Sequence, residues 1–343
     1  TTADHFFVGQ RNIPWWAIGI SVVATYVSAM SFLGGPAWAY TEGLSVIAIH
    51  LNYPLVIFIV VAFFLPFFFN SGVASIYEYL EKRFGPTSRS LIAAIFLVSQ
   101  TLTSAAVLYA TALVLEFITG MPVIYAIIII TLIALIYTIM GGLAAVIWTD
   151  VIQALILLVG ALIITVSLIN NLSLPLGETL EILKAEGKTN PLNFSFDTTQ
   201  VSTVWTGVIA MSLFHITVYG ANQMMVQRTL ASKNIGDAKK SFLMMGYFAI
   251  LIYFLFFLLG ILFYSYYGGR DFDNGNTIIL DFASSLAIPG LMGIIAAAVI
   301  AASMSSLDSA FNSMSTVTTI DFYQKYVKPD ATSEHYLLAS RIF

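Results

Sequence analysis

The segment AASMSSLDSAFNSMSTVTT, residues 301–319, carries seven serines and threonines between Ser303 and Thr316, together with Asn312 and Asp308. It follows directly on the apolar run PGLMGIIAAAVI, in a chain that is 59% hydrophobic and 9% charged. At 100° per residue, Ala302, Ser305, Ser309, Asn312, Ser313 and Thr316 share one helical stripe, with Ser306 and Asp308 on its flanks. Hydroxyls gathered this way either let helices pack closely through small side chains or line a path for a cation that needs oxygen ligands. Packing accounts for serine and alanine but not for Asp308. An aspartate near a bilayer interior costs at least about 2.5–3.5 kcal/mol, and its default reading is functional.

A second carboxylate, Asp150, stands in GGLAAVIWTDVIQALIL. Two readings are open: a solvated cap where the helix dipole favours negative charge, or a partner facing Asp308. In the second case the pair would share a proton or hold a cation between them. A hard monovalent ion is satisfied by carbonyls, hydroxyls and a carboxylate. With zero cysteines and four histidines, disulfides, thiolate metal sites and zinc have little to work with. His50 and His215 fall in apolar segments, each either an interhelical hydrogen-bond donor or, for His215 beside Thr217 and Tyr219, a substrate contact. The five tryptophans, Trp15, Trp16, Trp38, Trp148 and Trp205, fall near span ends and read as interfacial anchors.

The elements that must position these groups are membrane helices. A mean hydropathy of +0.89 is far above that of a soluble domain, and runs such as VIQALILLVGALIITVSLI approach the roughly 20 residues needed to cross a hydrocarbon core. Eight spans follow from hydropathy, at about 14–40, 43–69, 89–118, 122–140, 143–171, 203–228, 240–267 and 289–323. The net charge of −4 includes no basic block for nucleic acid. Opening on Thr1 and ending in EHYLLASRIF, the chain reads as an internal piece of a longer membrane protein.

With the first span running outward, eleven Lys and Arg fall inside: Arg11, Lys82, Arg83, Arg89, Arg228, Lys233, Lys239, Lys240, Lys325, Lys328 and Arg341. Lys184, Lys188 and Arg270 fall outside. Two spans are interrupted, the first in SAMSFLGGPAWAY at Gly34, Gly35 and Pro36, the sixth in FHITVYGANQ around Gly220. Such breaks are either packing kinks or, at corresponding positions of two inverted repeats, the place where a transporter binds substrate and ion.

Five collinear strings resemble the sodium:solute symporter family: DHFFVGQRNIPWWAIGISVVAT, YEYLEKRFG, YTIMGGLAAVIWTDVIQ, YGANQMMVQRTLASKNIGDAK and MSSLDSAFNSMSTVTTIDFY. The resemblance implies an all-α polytopic membrane protein of the LeuT-type inverted five-helix repeat fold. Residues 14–171 would be the first repeat, 203–343 an incomplete second repeat and 172–202 an extracellular loop. It implies a sodium ion held by the carbonyls of Ala24, Val27 and Ala302 and the hydroxyls of Ser305 and Ser306. A second cation or proton site would comprise Asp150, Ser305, Asp308 and Ser309, with Asp308 standing where sialic acid and glucose relatives carry Ser or Thr. The substrate cavity would be lined by Tyr26, Ser31, His50, Thr103, His215 and Tyr219. Thr103 and Ala249 stand where such relatives carry a substrate-gripping arginine and a seventh-span lysine.

The expected activity is sodium-coupled import of a small sugar or organic anion across a plasma or inner membrane by alternating access, with no catalytic residues. Proton coupling on the same fold is the alternative. A channel would need rings of charge along a pore, and an intramembrane aspartyl protease would need its own motif around Asp150 and Asp308.

Overall fold

The computed structural model describes residues 12–343 apart from Ala74 and the side chain of Tyr137. Arg11 and the rest of the DHFFVGQR string lie outside the described residues. The first span is two helices, α1 (Trp15–Tyr26) and α2 (Ala29–Glu42), separated at Val27 and Ser28. A 3-10 turn (Gly43–His50) leads to α3 (Tyr53–Ile59) and α4 (Leu65–Ser71), joined by a π turn. Then come α5 (Ile76–Phe84), α6 (Pro86–Thr119), α7 (Val123–Asn170) and α8 (Leu176–Ala185). The sixth predicted span is a π turn (Thr206–Ala210), α9 (Met211–Ile216), a second π turn (Thr217–Ala221) and α10 (Gln223–Ala231). α11 (Ile235–Tyr266), α12 (Ile278–Leu286), α13 (Leu291–Val317), its π-helical extension Thr318–Val327, and α14 (Ser333–Ile342) complete the chain.

Among the described residues, five helical stretches are long and apolar enough to cross a membrane, and three shorter apolar helices accompany them. α7 counts as two spans because Gly142 takes φ 58, a conformation that bends the helix at the boundary expected between residues 140 and 143. The gaps read as polar loops hold helices of their own. α8 lies within 172–202, α12 within 268–288, and α5 has its N-terminus capped by Ser75 accepting from the Glu78 amide.

The break in the first span lies elsewhere than Gly34, Gly35 and Pro36, all of which sit inside α2. Their smallness serves helix packing. α11 crosses there so closely that a Cβ on its Gly260 would collide with the Pro36 carbonyl, and Gly35 faces Phe256. The true interruption contains neither glycine nor proline. The Ser28 amide, which would bond the Ala24 carbonyl in a continued helix, donates to Tyr26 O at 3.1 Å. In the sixth span the chain leaves helical geometry at Asn222 (ψ 136), two residues past Gly220, and the Asn222 side chain caps α10 through the Met224 amide.

The core is formed where α13 packs on α7, α6 and α1, and where α11 packs on α1 and α2. At the end assigned to the cytoplasm, Arg89 bonds Asp321 Oδ1 (2.7 Å), Glu81 Oε2 (2.6 Å) and the Ile320 carbonyl (3.1 Å), while Lys325 pairs with Glu81. These contacts tie α5 and α6 to the end of the last long span. The hydrogen bonds from Lys325 and Arg89 hold the Glu81 carboxyl below the usual range. In the 172–202 segment, Lys188 donates to the Tyr40 and Thr41 carbonyls (3.1 and 2.6 Å), closing the C-terminus of α2. Burial lowers its pKa.

Candidate functional site

Arg228 stands at the centre of the buried polar cluster, although the charge count assigned it to a cytoplasmic segment. It lies on α10, is fully buried, and spreads its donors over four acceptors. Nε bonds Ser21 Oγ at 2.8 Å, Nη1 bonds the Met224 carbonyl at 3.0 Å, and Nη2 bonds both Asp150 Oδ2 at 3.0 Å and Ser309 Oγ at 2.6 Å. Asp150 also accepts from Ser21 (2.5 Å) and Ser305 (2.6 Å). Thr25 joins the cluster through Ser309 Oγ (3.1 Å).

This corrects the pairing expected from the sequence. Asp150 is fully buried and ion-paired with Arg228, so the solvated cap does not describe it. Asp308 is fully buried on α13, accepts from its neighbour Ser309's amide at 3.0 Å, and lies 3.4 Å from Thr149 Oγ1. Of the four residues assigned to a second cation or proton site, Asp150 and Ser309 contact the guanidinium, and Ser305 reaches it only through Asp150. A positive charge therefore stands among these residues, that of the Arg228 guanidinium.

Ser305 and its neighbour Ser306 diverge. While Ser305 turns to Asp150, Ser306 Oγ donates to the Thr25 carbonyl at 3.0 Å and also meets Ala302 O at 3.4 Å. α13 therefore touches the first span at its interruption, beside Ala24 and Val27, where the last carbonyls of α1 lose their helical donors. Hydroxyls and main-chain carbonyls converging on a helix break are the oxygen-rich surroundings that a small hard cation accepts. Farther along the stripe, Ser313 and Thr316 are engaged by Gln227 (2.7 Å each), so they join α13 to α10.

Beside both interrupted spans lies a cavity of about 470 Å³. Tyr26, Ser31, His50, His215 and Tyr219 line it as expected, and Trp38, Tyr53, Tyr253 and Phe257 are additions. Its wall is a set of near-parallel rings. His50 stacks on Tyr253 with centroids 3.8 Å apart, and His215 on Tyr53 at 5.0 Å. Tyr53 and Tyr219 share a hydroxyl hydrogen bond of 3.0 Å, and His215 Nδ1 meets Asn52 Oδ1 at 3.0 Å. No Lys, Arg, Asp or Glu is among the described residues lining it.

Thr103 is not part of the cavity. α6 buries Ser104, Val107, Thr111 and Val114, which share the face that meets α13, and Thr111 bonds Ser303 there. Thr103 is turned about 100° away from Ser104, is exposed, and bonds only its own helix at the Ser99 carbonyl (2.9 Å). Trp38 leaves the anchoring set for the cavity wall, whereas Trp15, Trp16, Trp148 and Trp205 are exposed at the periphery.

The sodium:solute symporter family model matches residues 6–343. The chain belongs to the sodium:solute symporter family. It is 32% identical to the sodium/glucose cotransporter of Vibrio parahaemolyticus, over 96% of this chain and 65% of that one. It is 31% identical to the sodium/sialic acid symporter SiaT of Proteus mirabilis (99% and 70%) and 30% identical to sodium-coupled monocarboxylate transporter 2 of Mus musculus (94% and 53%). The chain thus spans about two thirds of the bacterial relatives and half of the mammalian one. A structure of the substrate-bound outward-open state of a Na+-coupled sialic acid symporter superposes with TM-score 0.92 at 30% identity, covering 99% of this chain and 73% of the other. Mhp1, a nucleobase-cation-symport-1 family transporter, shares the fold at TM-score 0.65 and 13% identity (98% and 71%). The architecture is the LeuT-type fold of multi-pass membrane transporters.

Proposed function

We propose that the protein is a sodium-coupled symporter of the plasma or inner membrane that imports a small uncharged, hydroxyl-bearing solute of sugar size by alternating access. The observation that carries this reading is the juxtaposition at the break of the first span. One sodium ion, coordinated there by the Ala24, Val27 and Ala302 carbonyls and the Ser306 hydroxyl with Ser305 at the flank, would fasten α13 to the α1–α2 junction. That junction also supplies Tyr26 and Ser31 to the cavity. Ion binding and cavity completion are thereby one event. Residues 14–171 and 203–343 act as the two repeats that rock against each other.

The neutral wall selects the solute class. An organic anion buried among stacked rings would need a compensating cation, whereas sugar hydroxyls are served by His50, His215, Tyr219 and Ser31, with the ring faces packing on Trp38 and Tyr253. Several relatives carry sugars or carboxylates by name, and the neutral lining favours the sugar side of that range for this chain. No catalytic role is assigned to any residue. Proteoliposome uptake of labelled hexoses, sialic acid and short carboxylates, each with and without an inward sodium gradient, tests the reading. Sodium-independent uptake, or uptake restricted to anions, overturns it.

Proton coupling is the alternative, and buried Asp308 beside Thr149 is what favours it. A proton or second cation would then act at Asp308 rather than between Asp150 and Ser309. Uptake driven by an inward pH gradient without sodium, abolished in Asp308→Asn, is the result that selects it.

A further inference from the structure

Asn312 is 1% exposed, and neither its amide oxygen nor its amide nitrogen has a hydrogen-bond partner. A side-chain amide offers an acceptor and two donors, and native interiors rarely leave such a group empty-handed without a reason. On α13 it lies one turn below Ser309 and one turn above Thr316, on the stripe that begins with Ser305. The hydroxyls above it are engaged by Asp150 and Arg228, and Thr316 by Gln227.

The same condition recurs toward the end of the span assigned to the cytoplasm. Thr319 Oγ1 and Asp321 Oδ2 are also buried without partners, both on residues that are 0% exposed. Below them sits the cluster in which Arg89 and Lys325 pair with Asp321, Glu78 and Glu81. From Ser305 to Asn312 is seven residues, about 10 Å along the helix axis. Asn312 and Thr319, seven residues apart, share one helical face, and this face leads from the α13 hydroxyls toward Asp321 and the Arg89 cluster.

We infer that Asn312 is a transit ligand for the transported cation. Its amide oxygen takes over part of the ion's coordination after the ion leaves the break of the first span, and passes it toward Thr319 and Asp321 on the way to the cytoplasm. The inference rests on the sodium-symport reading. A group that binds only in passage must hold the ion weakly and at more than one step, which matches a single neutral oxygen left unpaired while the ion is elsewhere. The role makes a distinct demand on kinetics. Removing a transit ligand raises the barrier on the route and slows entry and exit alike, leaving affinity at rest unchanged.

The test uses the full-length protein, purified, with radiolabelled sodium as the probe. Equilibrium binding is measured by scintillation proximity, and release is followed after dilution into choline chloride. Asn312→Leu is expected to slow release about tenfold, the factor set by losing one hydrogen-bond-strength contact to a charge. Its equilibrium affinity should stay within about twofold of wild type, since a transit ligand contributes to neither end state. Asn312→Ser, which keeps a neutral oxygen, should release at close to the wild-type rate, whereas Asn312→Asp, which adds a carboxylate, should retain the ion and raise the equilibrium affinity. The Leu variant should melt no lower than wild type, because it removes two unpaired polar atoms.

Unchanged release in the Leu variant, or release and affinity changing in proportion, overturns the inference. A lower melting temperature that Ser does not rescue assigns Asn312 to packing and overturns it too. A wild-type protein that binds no sodium overturns the symport reading itself, an outcome the variants cannot imitate.

Discussion

Replacing Arg228 by methionine removes a charge without opening a large hole and leaves Asp150 with Ser21 and Ser305 as hydroxyl partners. At 3.0 Å the ion pair is worth about 5–6 kcal/mol of Coulomb attraction at an effective dielectric constant of about 20. Desolvation of both groups offsets part of this. Deleting one member of a buried pair nevertheless costs about 3–5 kcal/mol, because the other charge stays behind. Asp150→Asn should cost a similar amount by stranding the guanidinium. The double variant should recover much of the loss, with a coupling of up to about 3 kcal/mol in a double-mutant cycle. SDS-titrated unfolding in mixed micelles gives the four stabilities. Sodium sharpens the experiment, because Asp150 with Ser21, Ser305 and Ser309 becomes an oxygen cage of net charge −1 once the guanidinium is gone. Sodium at about 100 times its dissociation constant should restore about 2.7 kcal/mol to Arg228→Met beyond its effect on wild type, and nothing extra to the double variant. An Arg228→Met protein as stable as wild type, with no added sodium dependence, refutes the view of Arg228 as an internal cation.

Ser306→Ala removes the hydroxyl that meets the Thr25 carbonyl and should raise the half-saturating sodium concentration by about 10- to 100-fold, the range for one charge-assisted contact. Uptake measured against sodium concentration reads it. His50→Leu should abolish substrate binding, whereas Thr103→Val should leave uptake within about twofold of wild type, as surface substitutions do; thermal shift with the accepted solute separates the two. Gly260→Val drives a side chain into the Pro36 carbonyl and should cost at least about 1–3 kcal/mol, read as a lower melting temperature. Glu81 has its pKa depressed by Lys325 and Arg89, so its contribution is full above the ordinary glutamate value of about 4.3 and is lost as pH falls through the lower folded value. Hydrogen exchange of α5 should therefore stay slow down to about pH 4 and accelerate only below it.

Span existence was legible because long apolar runs are a local property, and the Gly142 bend fell where two runs met. The first interruption was not. Gly34, Gly35 and Pro36 carry the ordinary signals of a broken helix, yet they face α11, and the break at Val27 and Ser28 coincides with a hydroxyl on Ser306, far along the chain. A cause located that distantly leaves no trace in local propensity. Arg228 was misread for a related reason, since a basic residue near a span end is the usual mark of a cytoplasmic loop. Its sequence signal was its surroundings: it is the only Lys, Arg, Asp or Glu between 201 and 232, with MMV one residue before it and TLAS directly after. Five of six cavity residues came from the resemblance, while Thr103 failed because its position on α6 is turned away from Ser104 and the buried face.

A guanidinium fastened between Asp150 and Ser309 also bears on how far the solute can be concentrated. A charge carried on the chain returns with every empty cycle and draws no work from the sodium gradient. With one mobile sodium, a potential of about 100 mV and a tenfold sodium gradient supply about 2.3 and 1.4 kcal/mol, a ceiling of about 500-fold accumulation. Two mobile ions would lift that ceiling to about 10⁵-fold. On the one-sodium reading proposed above the lower ceiling applies, and the reversal potential of substrate-coupled current measures which of the two the protein works under.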